Sequence, residues 1–174
     1  MEHVNVEIKA ACRDPDAIRR LLRARGADCR GTDRQVDTYF RVASGRLKLR
    51  EGQIENHLIF YRRGDEAGPK RADVLLLETP PGPRTAALKE ILTRALGAWV
   101  VVDKRREIYF LDHVKVHLDV VEHLGSFLEI EAQSAGDGAT EEALRAQCRE
   151  VLGLFGVRPE ELVAESYSDL LAGP

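Results

Sequence analysis

At 174 residues, with 44% hydrophobic and 32% charged side chains, the chain is long enough for one domain with a buried core and too apolar to be disordered. A formal net charge of -3 speaks against nucleic acid as a partner, because non-specific phosphate binding needs a basic surface. Cys12, Cys29 and Cys148 are scattered without metal-ligand spacing, and the longest apolar runs are far too short to cross a bilayer, so a reduced cytoplasmic protein with no membrane partner is expected.

The first predicted element is a strand, VNVEIKAA, Val4 to Ala11, which alternates apolar and polar side chains. In RDPDAIRRLLRARGAD, Asp14 suits an N-cap, Pro15 the first helical position and Gly26 the stop, with Ile18, Leu21 and Leu22 at helical spacing. QVDTYFRV, GRLKLREG and ENHLIFYRR then alternate with period two and read as an antiparallel meander. A polar loop, GDEAGPKRAD, leads to the strand ADVLLLETP, closed by Pro80 and Pro81. PRTAALKEILTRALG predicts a second helix with Leu88, Ile91, Leu92 and Leu96 on one stripe. WVVVDKRREIYFLD, VKVHLDVVEHLG and SFLEIEAQ give three more strands, TEEALRAQCREVLGLFG a third helix, and ESYSDLL a last helical turn. No repeat or linker divides residues 1–174, which are expected to form a single domain. The pattern is an α+β antiparallel sheet of about eight strands, either open or rolled into a barrel.

Strand residues two apart share a face, so the polar face can be read directly. It pairs Glu7 with Lys9, Lys48 with Arg50, Tyr61 with Arg63, Lys104 with Arg106, His117 with Asp119, and Glu129 with Glu131. Any one such pair fits a sheet with one wet face. The whole set does not, because the charges are segregated: cations fill the middle strands, and carboxylates the first strand and the last two. Like charges on adjacent strands repel, so an all-cationic patch is costly unless an anion fills it. The opposite face, with Val6, Ile8, Leu47, Leu49 and Ile130, offers the apolar surface that helices need. A sheet rolled with that face outward encloses a polar tunnel suited to a polyanion carrying metal. Lys and Arg would hold phosphate oxygens, at about 4 kcal/mol per contact at most before desolvation. Carboxylates would hold Mg²⁺ or Mn²⁺, hard cations that bridge to phosphates. Glu7 then reads as a metal ligand and Lys9 beside it as a phosphate ligand.

These residues resemble the CYTH superfamily, the triphosphate tunnel metalloenzymes, and within it the class IV adenylyl cyclase branch. The resemblance runs over essentially the whole chain. It is carried by NVEIKA against E-x-E-x-K, by DTYF, LKLRE and LIFYRR, by VDKRREIYF, by HLDVVEHLGSFLEIE and by ESYSDLL. It implies an eight-stranded antiparallel β-barrel, a tunnel with a charged interior and helices packed outside. It also implies a triphosphate substrate and Mg²⁺ or Mn²⁺, and it is compatible with a homodimer. By resemblance, Lys9, Arg50, Arg63, Lys104 and Arg106 bind phosphates, with Arg71 of the PKRAD loop as a further substrate contact; Lys48 shares their face and is expected to bind substrate with them. Glu7, Asp119, Glu129 and Glu131 bind metal, and Glu7, Lys9 and Asp119 are the residues expected to carry catalysis. One departure stands out: the first Glu of E-x-E-x-K is Asn5, whose amide oxygen can ligate but brings no charge. His3 has the parity to stand in for it.

Elsewhere, Trp99 is expected in the core, with adenine stacking as its alternative role. His113 and His117 read as a surface pair or as supports beside a metal ligand, with His117 the better placed. Asp37 is expected to cap or to pair with a base and Tyr39 to pack, with lining of the tunnel mouth as the alternative for both. The branch resemblance favours an adenylyl cyclase that turns ATP into cyclic AMP and pyrophosphate. The alternatives are a triphosphatase acting on inorganic, thiamine or nucleoside triphosphate, and a non-catalytic triphosphate binder motivated by Asn5.

Overall fold

The computed structural model describes residues 2–64, 66–134 and 139–173, with side chains from residue 5 onward. The side chain of His3 therefore lies outside the described residues. In chain order the elements are β1 (Glu2–Ala11), α1 (Pro15–Ala24), β2 (Asp28–Phe40), β3 (Arg46–Glu51), β4 (His57–Arg63), β5 (Lys70–Glu78), α2 (Pro83–Leu96), β6 (Ala98–Leu111), β7 (Val114–Val121), β8 (Gly125–Gln133), α3 (Glu141–Leu154) and α4 (Tyr167–Ala172). The strands close into one barrel in the order β1-β5-β4-β3-β2-β6-β7-β8. Every pairing is antiparallel, and because β1 pairs with both β5 and β8 the sheet closes and the open-sheet alternative falls away. Closure removes the sheet edges and leaves the strands' alternation with an inside and an outside.

β2 starts at Asp28, seven residues before the alternation that predicts it. Its first residues pair with the end of β6, Asp28 opposite Phe110, and a register shift at Cys29–Gly31 bends the strand. Gly31 has φ +120°, a conformation that only glycine takes readily. The segment is mostly exposed, so it carries no apolar period to read.

The barrel has an apolar cluster on each side of its wall. Outside, Val6, Ile8, Val116, Leu118, Leu128 and Ile130 of β1, β7 and β8 pack under Ile18 and Leu22 of α1 and Leu144, Cys148 and Val151 of α3. Each large side chain buried there contributes about 1.5–3 kcal/mol. Asp14 caps α1, accepting from Ala17 N at 2.9 Å, and Thr140 caps α3. The Cys148 thiol donates to Val6 O at 3.3 Å, and burial pushes its pKa up to about 12, which makes it a packing group.

Inside, one end of the lumen is filled. Tyr39, Ile59, Tyr61, Val74, Val102 and Phe127 cluster with Tyr167 of α4, and Leu170 and Leu171 pack against them. Tyr167 meets Phe127 edge-on with ring centroids 5.0 Å apart. Two buried lysines tie down the chain leading to α4: Lys9 Nζ donates to Glu165 O at 3.2 Å and Lys70 Nζ to Ala164 O at 2.6 Å.

α2 packs as expected only in part: Leu88 and Leu92 of its stripe are half-buried, while Ile91 is 62% and Leu96 37% exposed, and Thr85 is its buried residue. The helix lies over β2 and is held by polar contacts, Lys89 to Glu51 at 2.6 Å and Thr85 to Pro80 O at 2.8 Å. Trp99 is likewise not core: it sits on the outer face of β6, 37% exposed, away from the lumen.

Candidate active site: a tunnel with two charged walls

The polar faces of the strands meet in a cavity of about 270 Å³ inside the barrel. Of the residues expected at a site, Glu7, Lys9, Lys48, Arg50, Arg63, Lys104, Arg106, Glu129 and Glu131 line it. They come from β1, β3, β4, β6 and β8, brought together by period-two alternation and barrel closure.

The wall formed by β2, β3 and β6 is organised around Asp37. The residue is 1% exposed, and its carboxylate accepts from Lys48 at 2.9 Å, from Arg50 through two bonds at 2.9 and 3.0 Å, and from Lys104 at 2.8 Å. Burial opposes its charge, but Arg50, Lys104 and Lys48 outweigh that and hold it well below the usual carboxylate range. Arg50 also reaches Glu55 at 2.9 Å, and Lys115 pairs with the same carboxylate. Burial pushes Lys104 down to about 7, against the pull of Asp37 and with the help of Arg50 and Arg106.

The wall formed by β1, β7 and β8, together with β6, carries the carboxylates. Glu129 pairs with Lys9 at 3.2 Å and with Arg106, and Glu7 pairs with Arg63. Lys9 also sits over the Tyr167 ring, 3.8 Å from its centroid. Burial disfavours the charge on Glu129, but Arg106 and Lys9 override it and keep the carboxyl well below its usual range. His117, fully buried on β7, has Nδ1 3.7 Å from Glu129 and 3.6 Å from Glu131. Burial and the Arg106 charge push its pKa down, so its imidazole is neutral at neutral pH.

Two expected residues are not among those that line the cavity. Arg71 lies on the outer face of β5, exposed, where it donates to Asp73 at 2.9 and 2.7 Å and to Glu141 at 3.3 Å. The inward residues of β5 are Lys70, Ala72, Val74 and Leu76, and Arg71 falls between them. Asp119, expected as a metal ligand, is 1% exposed with both oxygens engaged. Arg106 donates to it at 2.7 and 2.5 Å and the Tyr167 hydroxyl at 2.8 Å, so it fixes Arg106 in the tunnel. His113, in the exposed β6–β7 turn, is not paired with His117.

Sequence reasoning passed over Glu55 and Lys115 and gave Asp37 only a minor pairing. Lys115 shares its face with His117 and Asp119, so parity could have found it. Glu55 comes from the β3–β4 loop, which has no period. That loop is held by buried Asp33, which accepts from the backbone of Gln53, Ile54 and Glu55. A side chain at Gly52 would strike the same carboxylate at 2.5 Å.

The donor set fits a divalent cation. Glu7, Glu129 and Glu131 bring carboxylate oxygens to one cavity, and the amide oxygen of Asn5 is buried with no hydrogen-bond partner. Ligand atoms of His117, Glu129 and Glu131 lie within 4.8 Å of one another. Oxygen-rich sets of this kind suit Mg²⁺ or Mn²⁺.

Known proteins agree with this architecture. Among curated proteins no sequence matches the chain. A structure of the PH1012 protein from Pyrococcus horikoshii is similar over 94% of this chain and 97% of its own, at 24% identity and a TM-score of 0.81. A proposed adenylate cyclase of Vibrio parahaemolyticus matches over 97% of this chain and 98% of its own, at 18% identity and a TM-score of 0.76. A proposed adenylyl cyclase of Hippeastrum, described as having a dominant triphosphatase activity, matches over 97% and 93%, at 15% identity and a TM-score of 0.61. At such identities these likenesses establish the fold. The sequence model of the CYTH domain matches residues 3–167, and the chain belongs to the CYTH domain family.

Proposed function

We propose that this protein is a metal-dependent enzyme acting on a triphosphate, and that its reaction converts ATP to cyclic AMP and pyrophosphate. The observation that carries the first part is the convergence of Lys48, Arg50 and Lys104 on the single carboxylate of Asp37. A buried cluster with more cations than anions is complementary to a polyanion. Lys9, Arg63 and Arg106 extend the set across the cavity.

In this reading Lys48, Arg50 and Lys104 bind and orient the phosphate chain. Glu7, Glu129 and Glu131 hold the metal, and Asp119 keeps Arg106 aimed into the tunnel. The bound metal would neutralise charge on the phosphate oxygens and polarise the reacting phosphorus. Cyclisation forms the bond from the ribose 3′-oxygen to the α-phosphorus, breaks the bond from that phosphorus to the bridging oxygen and releases the hydroxyl proton to solvent, and pyrophosphate leaves. The basic side chains stabilise the charge that builds on that leaving group. Ile59, Val74 and Leu76 line the cavity beside Tyr61, and such an apolar surface suits a nucleoside better than inorganic triphosphate does.

A triphosphatase is the second reading. It is favoured by the filling of the lumen's apolar end by Tyr167, which leaves the charged section as the best-formed part of the cavity. Product analysis by ion-exchange chromatography separates the two, with ATP and inorganic triphosphate offered in parallel with Mg²⁺ or Mn²⁺. Cyclic AMP with pyrophosphate supports the cyclase. Orthophosphate without cyclic AMP replaces it by hydrolysis. Metal-dependent binding without any product, with turnover gained by Asn5→Glu, would make the protein a binder.

A further inference from the structure

His117 is placed in the tunnel wall by register, directly opposite Glu129 on β8, with Glu131 opposite its neighbour Lys115. The side chain is 1% exposed, and neither ring nitrogen has a hydrogen-bond partner. A buried polar group left in that state is costly, and native structures rarely keep one without a use. The nearby cations do not engage it: Arg106 is held by Asp119 and Glu129, and Lys115 by Glu55. Its Nδ1 is instead 3.6 Å from Glu131 and 3.7 Å from Glu129, too far to hydrogen-bond and within the spacing of ligands that share an ion. Donors roughly 2.1 Å from a common octahedral ion stand about 3.0 Å apart when adjacent and about 4.2 Å when opposite.

We propose that His117 is a nitrogen ligand of the tunnel metal, together with Glu129 and Glu131, and that it makes the site select Mn²⁺ over Mg²⁺. Mg²⁺ prefers an all-oxygen shell and keeps its waters, whereas Mn²⁺ accepts an imidazole beside carboxylates. Glu129 can turn to the ion because Arg106 retains its two bonds to Asp119. The inference rests on the metal-dependent reading above and adds a ligand and a preference to it.

The test is pulsed electron paramagnetic resonance of the full-length protein loaded with Mn²⁺, alongside titration calorimetry with Mn²⁺ and with Mg²⁺. The expected spectrum shows ¹⁴N coupling that survives His57→Gln, at the imidazole that lines the cavity, and His3→Gln, and disappears in His117→Gln. The same His117→Gln change should weaken Mn²⁺ roughly tenfold or more and leave Mg²⁺ within about threefold. If His117→Gln fails to fold, coupling that survives both His57→Gln and His3→Gln still assigns the nitrogen to His117, and coupling lost in either one overturns the assignment. Bound Mn²⁺ that is lost in Glu131→Gln but shows no ¹⁴N coupling overturns the ligand and leaves the metal-dependent reading standing. Failure to take up either ion overturns both.

Discussion

The two walls of the tunnel solve opposite electrostatic problems. Around Asp37 and Glu55, four cations (Lys48, Arg50, Lys104 and Lys115) share two carboxylates. Across the lumen, Lys9, Arg63 and Arg106 face Glu7, Asp119, Glu129 and Glu131, with neutral His117 among them. The first wall lacks negative charge and the second lacks positive charge. A metal–triphosphate supplies both, each to the wall that needs it. Neither wall could serve as a conventional core, which explains why the barrel's main apolar cluster lies outside, under α1 and α3.

The largest way to break this contrast is Asp37→Ala. It leaves three buried cations without their shared partner, and destabilisation of about 3–5 kcal/mol is expected in urea denaturation. Inorganic triphosphate should restore part of the loss, since it replaces the missing anion; no recovery would separate Asp37 from a phosphate-binding wall. On the opposite wall, Glu131→Gln keeps the shape but removes a charge that no lysine or arginine holds among the described residues. Calorimetry should show divalent-cation affinity falling roughly tenfold or more, with the metal-free midpoint shifted far less than by Asp37→Ala.

A subtler contrast lies in protonation. Lys104 has a folded pKa of about 7 against an ordinary 10.5, so the folded protein releases this proton at lower pH than the unfolded chain. By linkage, its contribution to stability is least favourable below about 7 and improves as pH rises towards 10.5. A bound polyanion restores the charge. Triphosphate binding at pH 8 should therefore take up as much as about one proton, read from the dependence of calorimetric heat on buffer ionisation enthalpy. Lys104→Met should abolish the uptake. The smallest effect is expected from Arg71→Ala. Its guanidinium is engaged outside the barrel, so triphosphate affinity should change by less than about twofold in the same titration. A larger loss would bring Arg71 back to the substrate.

How much of this was readable depended on alternation. RLKLRE, NVEIKA and FLEIEA alternate cleanly, so their inward residues are fixed by the pleat once one face is known to be wet. KRADVLLLE and AWVVVD do not alternate, and there the parity of Arg71 and the outward position of Trp99 could not be told from the chain. The α2 stripe held only for Leu88 and Leu92, for a related reason: an amphipathic helix states that it has an apolar side, not how much of that side the barrel covers.

The sequence by itself determined the number of strands, the charged face on most of them and the family, because these are local periodicities and ordered motifs. Tertiary structure alone decided which charges meet. Asp37 gathers cations from β3 and β6, Asp119 is taken up by Arg106 and Tyr167, and His117 comes to stand between two glutamates. Those pairings join strands far apart in the chain, and their geometry exists only when barrel closure sets the register between them.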